Sequence, residues 1–231
     1  MSITPENLKV YARFARQHAR RFLAERVKEA RTSIPPAPYR PQPAEWSDDR
    51  LTVAWLGHAT TLINFYGTWL LTDPVLRSRV GVHLAGVTLG PRRLVRPALS
   101  VRELPRLDAV LISHSHMDHC DLPTLRRLAR RTHAVVQSGN LDLVRRFTRA
   151  SELAWGESVE VGGARIEAIE VNHWGARTLT DRHRGYGGFL VEKNGRALVF
   201  GGDTAYTNAF AALRSRVIGS LTGSRLNLNV E

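Results

Sequence analysis

Four side chains that commonly bind metal ions occupy six consecutive positions in the middle of the chain. They are His114, His116, Asp118 and His119, and they follow an apolar run at 109–113. On an extended segment His114 and His116 are expected to share one side, because they are two residues apart. Imidazole and carboxylate donors together suit zinc, iron or manganese, and at a strand end they are more typical of a catalytic than of a structural site. A chance cluster on a solvated loop is disfavoured, because the 231 residues include only nine histidines.

Two further donors each follow a predicted strand. His173 comes after the run at 165–171, and Asp203 comes after the run at 197–200 through two glycines. Side chains that leave strands through glycine-rich turns are well placed to line a cleft. We therefore expect His173 and Asp203 to join the cluster at 114–119.

The elements that must position these donors are short strands mixed with helices. Apolar runs predict strands at 51–56, 61–65, 69–72, 109–113, 134–137, 158–161, 165–171, 187–192 and 197–200. Helical patterns are expected at 122–131, 140–147 and 206–217. Antiparallel pairs come first and then mix with helices, which predicts an α+β fold of layered sheets and helices. The pair Asn194-Gly195 predicts a type I′ hairpin turn.

Composition divides the chain into three regions. Residues 1–30 predict a basic amphipathic helix, residues 31–50 a proline-rich linker, and residues 51–231 the main domain. The first region has no apolar stretch of the kind found in signal peptides, so we expect a cytoplasmic protein. Its basic helix either packs on its own domain or lies on an anionic membrane. The single cysteine, Cys120, excludes a disulfide framework and a cysteine zinc cluster, and a small core side chain is favoured over a reactive thiol.

The charge of the chain is strongly positive. It has 33 lysines and arginines against 21 aspartates and glutamates, a net charge of +12. Such a charge favours phosphoesters, nucleic acid or acidic lipid as partners, although an arginine-rich overall composition also explains it. Residues 74–106 hold seven arginines against one glutamate. Within that stretch Arg92 and Arg93 are candidates for binding a substrate phosphate, and a solvated surface is the alternative.

The motifs resemble those of the metallo-β-lactamase superfamily. The pattern His114-x-His116-x-Asp118-His119 is similar to its signature, and the flanking motifs Trp55–Thr60, Thr72–Val75 and Gly202–Thr204 occur in the expected order along the chain. The branch of N-acylphosphatidylethanolamine phospholipase D is the most similar, with ascorbate-6-phosphate lactonases nearby. The resemblance covers roughly residues 35–208.

This resemblance implies an αββα sandwich with two metal ions, usually zinc, at the edge of the sheets. His114, His116 and His173 would bind the first ion. Asp118 and His119 would bind the second, and Asp203 would bridge both. Asp118 would also orient or deprotonate the attacking water. His58 and Asp73 would orient the ligands, although a core histidine and a turn aspartate are alternatives.

The chemistry implied is hydrolysis by a metal-bound hydroxide. A phosphodiesterase that acts on a lipid-like or small phosphoester is favoured. The alternatives are a nucleic-acid hydrolase or binder, and a catalytically impaired, truncated relative. Nucleic acid is not favoured, because no basic patch is interleaved with stacking aromatic residues.

The C-terminal region departs from the family pattern. The family adds a further strand and a histidine after the Gly-Asp-Thr motif, and here no histidine follows His183. We therefore expect an incomplete second half of the sandwich, as in a truncated or frame-shifted product. One metal would be held tightly, and the second site would be weak or empty. His183 is an alternative ligand for that second site.

Overall fold

The computed structural model describes residue 29 and residues 32–84, 87–178 and 181–213. The chain divides into two compact units, Met1–Pro35 and Pro36–Glu231. Apart from residue 29, the helix predicted over the first 30 residues lies outside the described residues, and so does the C-terminal end of the helix predicted at 206–217. The described residues from Pro36 onward belong to the second unit.

Short strands dominate the described part of the second unit. They are β1 (Leu51–Gly57), β2 (Thr60–Phe65), β3 (Thr68–Thr72), β4 (Val82–Leu84), β5 (Val87–Leu89), β6 (Ala109–Ile112), β7 (His133–Gln137), β8 (Arg149–Leu153), β9 (Ser158–Val161), β10 (Ala164–Ile169), β11 (Gly188–Lys193) and β12 (Arg196–Phe200). One α-helix, α1, spans Leu122–Leu128 within the described ranges, and 3-10 helices span Pro43–Glu45, Leu141–Val144 and Ala209–Leu213. No helix among the described residues is long and apolar enough to cross a membrane.

The strands form two main sheets. The first has the order β1-β2-β3-β6-β7-β8, in which β1 to β3 pair antiparallel and β3, β6, β7 and β8 pair parallel. The second has the antiparallel order β12-β11-β10-β9. Strands β4 and β5 form a separate hairpin. Asn194 and Gly195 both have positive φ, at 52° and 69°, as the predicted type I′ turn between β11 and β12 requires.

The buried core lies on both faces of the first sheet. In β6, Ala109 and Leu111 pack with residues of the second sheet, whereas Val110 and Ile112 pack with α1. This alternation follows from the two-residue period of a strand, and it explains why β6 is apolar throughout. A helix, a first sheet and a second sheet therefore lie in successive layers, which is the α+β sandwich that the sequence predicts.

Two predicted helices are 3-10 helices in the structure. The helix expected at 140–147 is a 3-10 turn at Leu141–Val144 before β8, and the described part of the helix expected at 206–217 contains a 3-10 helix at Ala209–Leu213. The side chain of Asn140 donates to the carbonyls of Gln137 and Ser138, which favours a turn over a helix start. β8 itself was not predicted, because its sequence Arg-Ala-Ser-Glu-Leu has one buried residue and no apolar alternation.

The core makes a first prediction about stability. Leu111 is fully buried between the two sheets. Leu111→Ala should lower the free energy of unfolding by about 2–5 kcal/mol, because it removes buried methyl groups and leaves a cavity. Leu94→Ala is the matched control: Leu94 is 88% exposed, so its loss should change stability by less than about 0.5 kcal/mol. Urea denaturation measures both, and equal effects would contradict this view of the core.

Candidate metal centre

Three imidazole nitrogens converge at the end of β6. His114 Nε2 lies 2.8 Å from His116 Nδ1, and His173 Nε2 lies 3.2 Å from the former and 3.3 Å from the latter. The first two histidines follow β6 directly, and His173 follows β10. The predicted meeting of residues from separate strand ends is therefore present.

The hydrogen bonds around His114 determine which nitrogen carries its proton. Ser113 Oγ lies 2.6 Å from Asp73 Oδ2, so the serine donates its one proton to the carboxylate. His114 Nδ1, 2.9 Å from the same Oγ, must then be the donor to the serine. Burial, and then the neighbouring histidines, lower the pKa of His114 to about 2, so the ring is neutral. The lone pair of its Nε2 consequently points at His116 and His173.

A divalent cation fits this arrangement. Each of the three facing nitrogens is either a single donor or a single acceptor. Hydrogen bonds among them therefore pair two nitrogens and leave the third without a partner. Tetrahedral zinc with nitrogen ligands at about 2.0–2.1 Å places its ligands roughly 3.3–3.4 Å apart, close to the distances found here. Burial is the main cause of the lowered pKa of His116 and of His173, which keeps both rings neutral. The residues present therefore suit a metal ion at this position.

A second group of donors lies beside the first. His58, Asp118 and His119 each offer a ligand atom, and these atoms lie within 4.8 Å of one another. His58 Nε2 lies 3.1 Å from Asp118 Oδ2, and this hydrogen bond holds the pKa of the aspartate well below its usual range. His58 has a left-handed backbone with φ of 56°, and the indole nitrogen of Trp55 donates to its carbonyl. Sequence reasoning assigned His58 an orienting role, and the structure also makes it a candidate ligand.

Asp73 holds two of the histidines in place. It is fully buried and has a left-handed φ of 35°, a backbone conformation that non-glycine residues adopt rarely. Its carboxylate accepts from the Ser113 amide at 2.7 Å and lies 2.7 Å from His119 Nδ1. Burial raises the pKa of Asp73, and the hydrogen bonds oppose that rise. Burial also opposes the charged form of His119, but the hydrogen bond to Asp73 and the negative charges of Asp73, Asp203 and Asp118 together outweigh it and raise the pKa of the imidazole.

The turn after β12 brings Asp203 to the same place. Asp203 Oδ2 lies 3.2 Å from His119 Nε2, and its charge acts to raise the pKa of His116. Gly202 permits this approach: its φ is 60°, and a Cβ there would lie 2.6 Å from that of Ser113. Asp203 thus lies near residues of both donor groups, as its predicted bridging position requires.

Backbone pairing fixes the loop of His173 against the loop of Asp203. The Ala205 amide donates to the Asn172 carbonyl at 2.8 Å, and the Asn172 amide donates to Thr204 Oγ1 at 3.0 Å. These bonds join the residue before His173 to the residues after Asp203. These two bonds therefore fix the position of one donor loop relative to the other.

Arg177 stabilises the donor loop, a role that the sequence analysis missed. One nitrogen of its guanidinium donates to the Ser115 carbonyl at 2.9 Å and to the Cys120 carbonyl at 2.7 Å. Asp121 ends the same loop as the N-cap of α1, accepting from the Thr124 amide at 3.1 Å. No local pattern announces the contact of Arg177, because it lies 57 to 62 residues along the chain from its partners.

The structure shows other uses for some residues singled out in the sequence. Arg93 donates to the Val75 carbonyl at 2.8 Å, a bond that joins two loops, and its burial lowers the pKa of the guanidinium. The backbone of Arg92 pairs with that of Arg79 in an isolated antiparallel β-bridge. The phosphate contact of Arg92 and Arg93 stays a prediction. His183 is exposed and lies outside the donor groups found among the described residues.

Cys120 is part of the core. Its side chain is fully buried, and this burial raises the pKa of the thiol to about 12. It packs with Leu125 of α1 in the cluster on the helical face of the first sheet. This placement agrees with the small core side chain that the sequence favoured.

Comparison with known families agrees with this geometry. Residues 68–220 match the family model of the beta-lactamase superfamily domain. The chain belongs to this superfamily. An uncharacterized protein of Mycobacterium tuberculosis is 33% identical over 208 residues, which are 86% of this chain and 55% of that protein. The N-acyl-phosphatidylethanolamine-hydrolyzing phospholipase D 1 of Caenorhabditis elegans is 31% identical over 175 residues, 69% of this chain and 48% of that protein.

Solved structures share the fold of the superfamily. An isothiocyanate hydrolase from Delia radicum gut bacteria has a TM-score of 0.55 and 21% identity, covering 73% of this chain and 67% of that one. CmlA, a diiron beta-hydroxylase from Streptomyces venezuelae, has a TM-score of 0.51 and 24% identity, covering 74% and 33%. These similarities support the metallo-β-lactamase sandwich.

The superfamily gives the coarse class of the protein. Metal-dependent hydrolase is the class that the family match and the donor groups support together. The chain spans about half the length of the curated relatives it matches. The predicted ligand roles of the superfamily residues, including a second site weaker than the first, stay predictions.

Asp73 provides a second prediction. Asp73→Asn should weaken metal binding about 10- to 100-fold, because the amide cannot accept from both Ser113 and His119 as the carboxylate does. Competition with a chromogenic chelator measures this affinity. Asp108→Asn is the matched control, since Asp108 accepts from the Trp69 amide at 2.8 Å before β6 begins, at the other end of that strand. Unchanged affinity in Asp73→Asn would contradict the orienting role.

Proposed function

We propose that the protein is a zinc-dependent phosphodiesterase that acts on a lipid-like phosphoester. The observation that carries the proposal is the convergence of three neutral imidazoles beside the donors His58, Asp118 and His119. The phosphoester is suggested by the relative from Caenorhabditis elegans, whose name describes a phospholipase D. Zinc is proposed because imidazole nitrogens and carboxylate oxygens are ligands that suit it well.

A bound divalent cation supplies Lewis-acid activation of a phosphoryl oxygen and makes water a stronger nucleophile at neutral pH. The residues of the chain provide the other parts of the reaction. Asp118 stays ionised because His58 donates to its Oδ2, which leaves its second oxygen to orient a water molecule by accepting its hydrogen bond. His58 thereby positions this carboxylate, and the indole of Trp55 holds His58 in turn.

Three residues with exposed aromatic side chains contact the donors or their neighbours in the chain. Trp55 is 67% exposed and bonds to the main chain of His58. Trp174 is 60% exposed, and its ring centroid lies 4.3 Å from that of His116. Tyr206 is 89% exposed, and its carbonyl accepts from Asn172, the neighbour of His173. We call Trp55, Trp174 and Tyr206 the aromatic rim.

The aromatic rim favours a substrate with an apolar part. Exposed tryptophan and tyrosine side chains combine an apolar ring with a polar atom, which suits contact with the hydrocarbon next to a phosphate. A nucleic-acid substrate is the second candidate, because the same rings would stack on bases. The lipid-like substrate is preferred, since the relative named as a phospholipase D supports it.

The third prediction concerns the metal. Chelation should abolish turnover of a chromogenic phosphodiester, and His116→Ala should reduce it at least about 100-fold, because each removes a contributor to the metal centre. Restoring zinc, manganese or iron separately identifies the active ion. His183→Ala is the control, since this exposed histidine lies outside the donor groups found among the described residues. Turnover that survives chelation would contradict the proposal.

The fourth prediction distinguishes lipid-like from small substrates. Trp174→Ala should lower turnover of a micellar phosphodiester lipid about tenfold more than that of the soluble chromogenic one, because only the lipid has hydrocarbon to place on the ring. Taking the ratio of the two rates cancels any effect on the metal. Tyr39→Ala removes an exposed ring outside the aromatic rim and should leave the ratio unchanged. A larger loss with a single-stranded oligonucleotide would favour the nucleic-acid alternative.

A further inference from the structure

A cavity of about 1430 Å³ lies at the start of the parallel strands and is lined by seven arginines. Arg102 and Arg106 come from the segment before β6, and Arg149 begins β8. Four more lie within residues 126–131, at the end of α1 and just after it. Three separate segments thus contribute guanidinium groups to one space.

The positive charge in this cavity is not neutralised by the described residues. All seven arginines are exposed, and the lining includes no aspartate or glutamate. Within the part of the chain that the structure describes, none of the seven has an ion pair. Three hydroxyl side chains, Ser100, Thr132 and Thr148, complete the polar lining. Such a concentration of one sign produces a strong local potential that attracts anions.

Helix geometry explains only part of this cluster. Arg126 and Arg127 lie in the last turn of α1, where cations interact favourably with the helix dipole. That interaction does not reach Arg106 and Arg149, which adjoin the starts of β6 and β8. The convergence therefore needs an explanation beyond the stability of α1.

The cavity and the metal centre lie at opposite ends of the first sheet. Arg106 and Leu107 precede β6, whereas His114 follows it. Thr132 and Thr148 likewise come directly before β7 and β8, which are parallel to β6. A ligand in the cavity is therefore separate from a substrate at the metal centre.

We propose that this cavity is a binding site for a soluble small molecule that carries two or more phosphate groups. Guanidinium groups bind phosphate oxygens through paired hydrogen bonds, and arginines on several walls would bind several phosphates at once. The lining has no aromatic residue, which argues against stacking of nucleic-acid bases. A membrane bound at the aromatic rim would lie at the other end of the first sheet, so its lipid headgroups would not reach the cavity.

Calorimetric titration of the full chain with inorganic tripolyphosphate tests this proposal. Binding should weaken steeply with salt and should persist after chelation of metal. Arg130→Gln combined with Arg149→Gln should weaken binding at least about tenfold, because each lost guanidinium removes charge-assisted hydrogen bonds. Arg106→Gln with Arg127→Gln should do the same, which guards against a folding defect in one variant.

Arg50→Gln combined with Arg182→Gln is the control, since it removes two exposed positive charges outside the cavity and should change affinity less than about twofold. Equal weakening by the control pair would overturn the proposal, because the affinity would then come from diffuse charge.

Loss of binding on chelation would overturn it in favour of the metal centre. Inorganic phosphate binding as tightly as tripolyphosphate would overturn the requirement for several phosphates. Tighter binding to anionic vesicles or an oligonucleotide, lost in the cavity variants, would replace the small molecule with that partner.

Discussion

The direction of imidazole lone pairs is the constraint on which the site depends. A histidine binds a cation only through an unprotonated nitrogen, so the proton must be held on the other one. Asp73 achieves this for two rings, directly at His119 Nδ1 and through Ser113 at His114 Nδ1. One buried carboxylate thereby turns Nε2 of both rings toward the donor groups.

The donors could be predicted because each of them follows the end of a predicted strand. His114 follows the apolar strand β6, and His173 and Asp203 follow β10 and β12. The carboxyl ends of parallel strands share one edge of a sheet, and the antiparallel second sheet brings its own loops to that edge. The continuous apolar run of β6 indicated its burial on both faces as well.

The sequence did not predict contacts between residues that belong to no common sequence motif. Arg177 reaches carbonyls 57 to 62 residues away, and Trp55 supports His58 through the main chain. Strand β8 was missed for a related reason: its five residues pair with β7 through the backbone, and their side chains carry little apolar signal. Arginine and tryptophan occur on many surfaces, so residue type alone does not distinguish a structural contact from a solvated one.

The positions of the charges show that the excess of arginine is not spread uniformly over the fold. Near the donor groups the ionisable partners of the histidines are Asp73, Asp118 and Asp203, whose negative charge favours a divalent cation. Arg177 comes close to that loop, and there it is used for main-chain carbonyls. Among the described residues, seven arginines without an ion pair instead line one cavity where the parallel strands begin. Positively charged side chains near the donors would oppose metal binding. The first sheet keeps the two apart, with the metal donors at one end and the arginines that attract anions at the other.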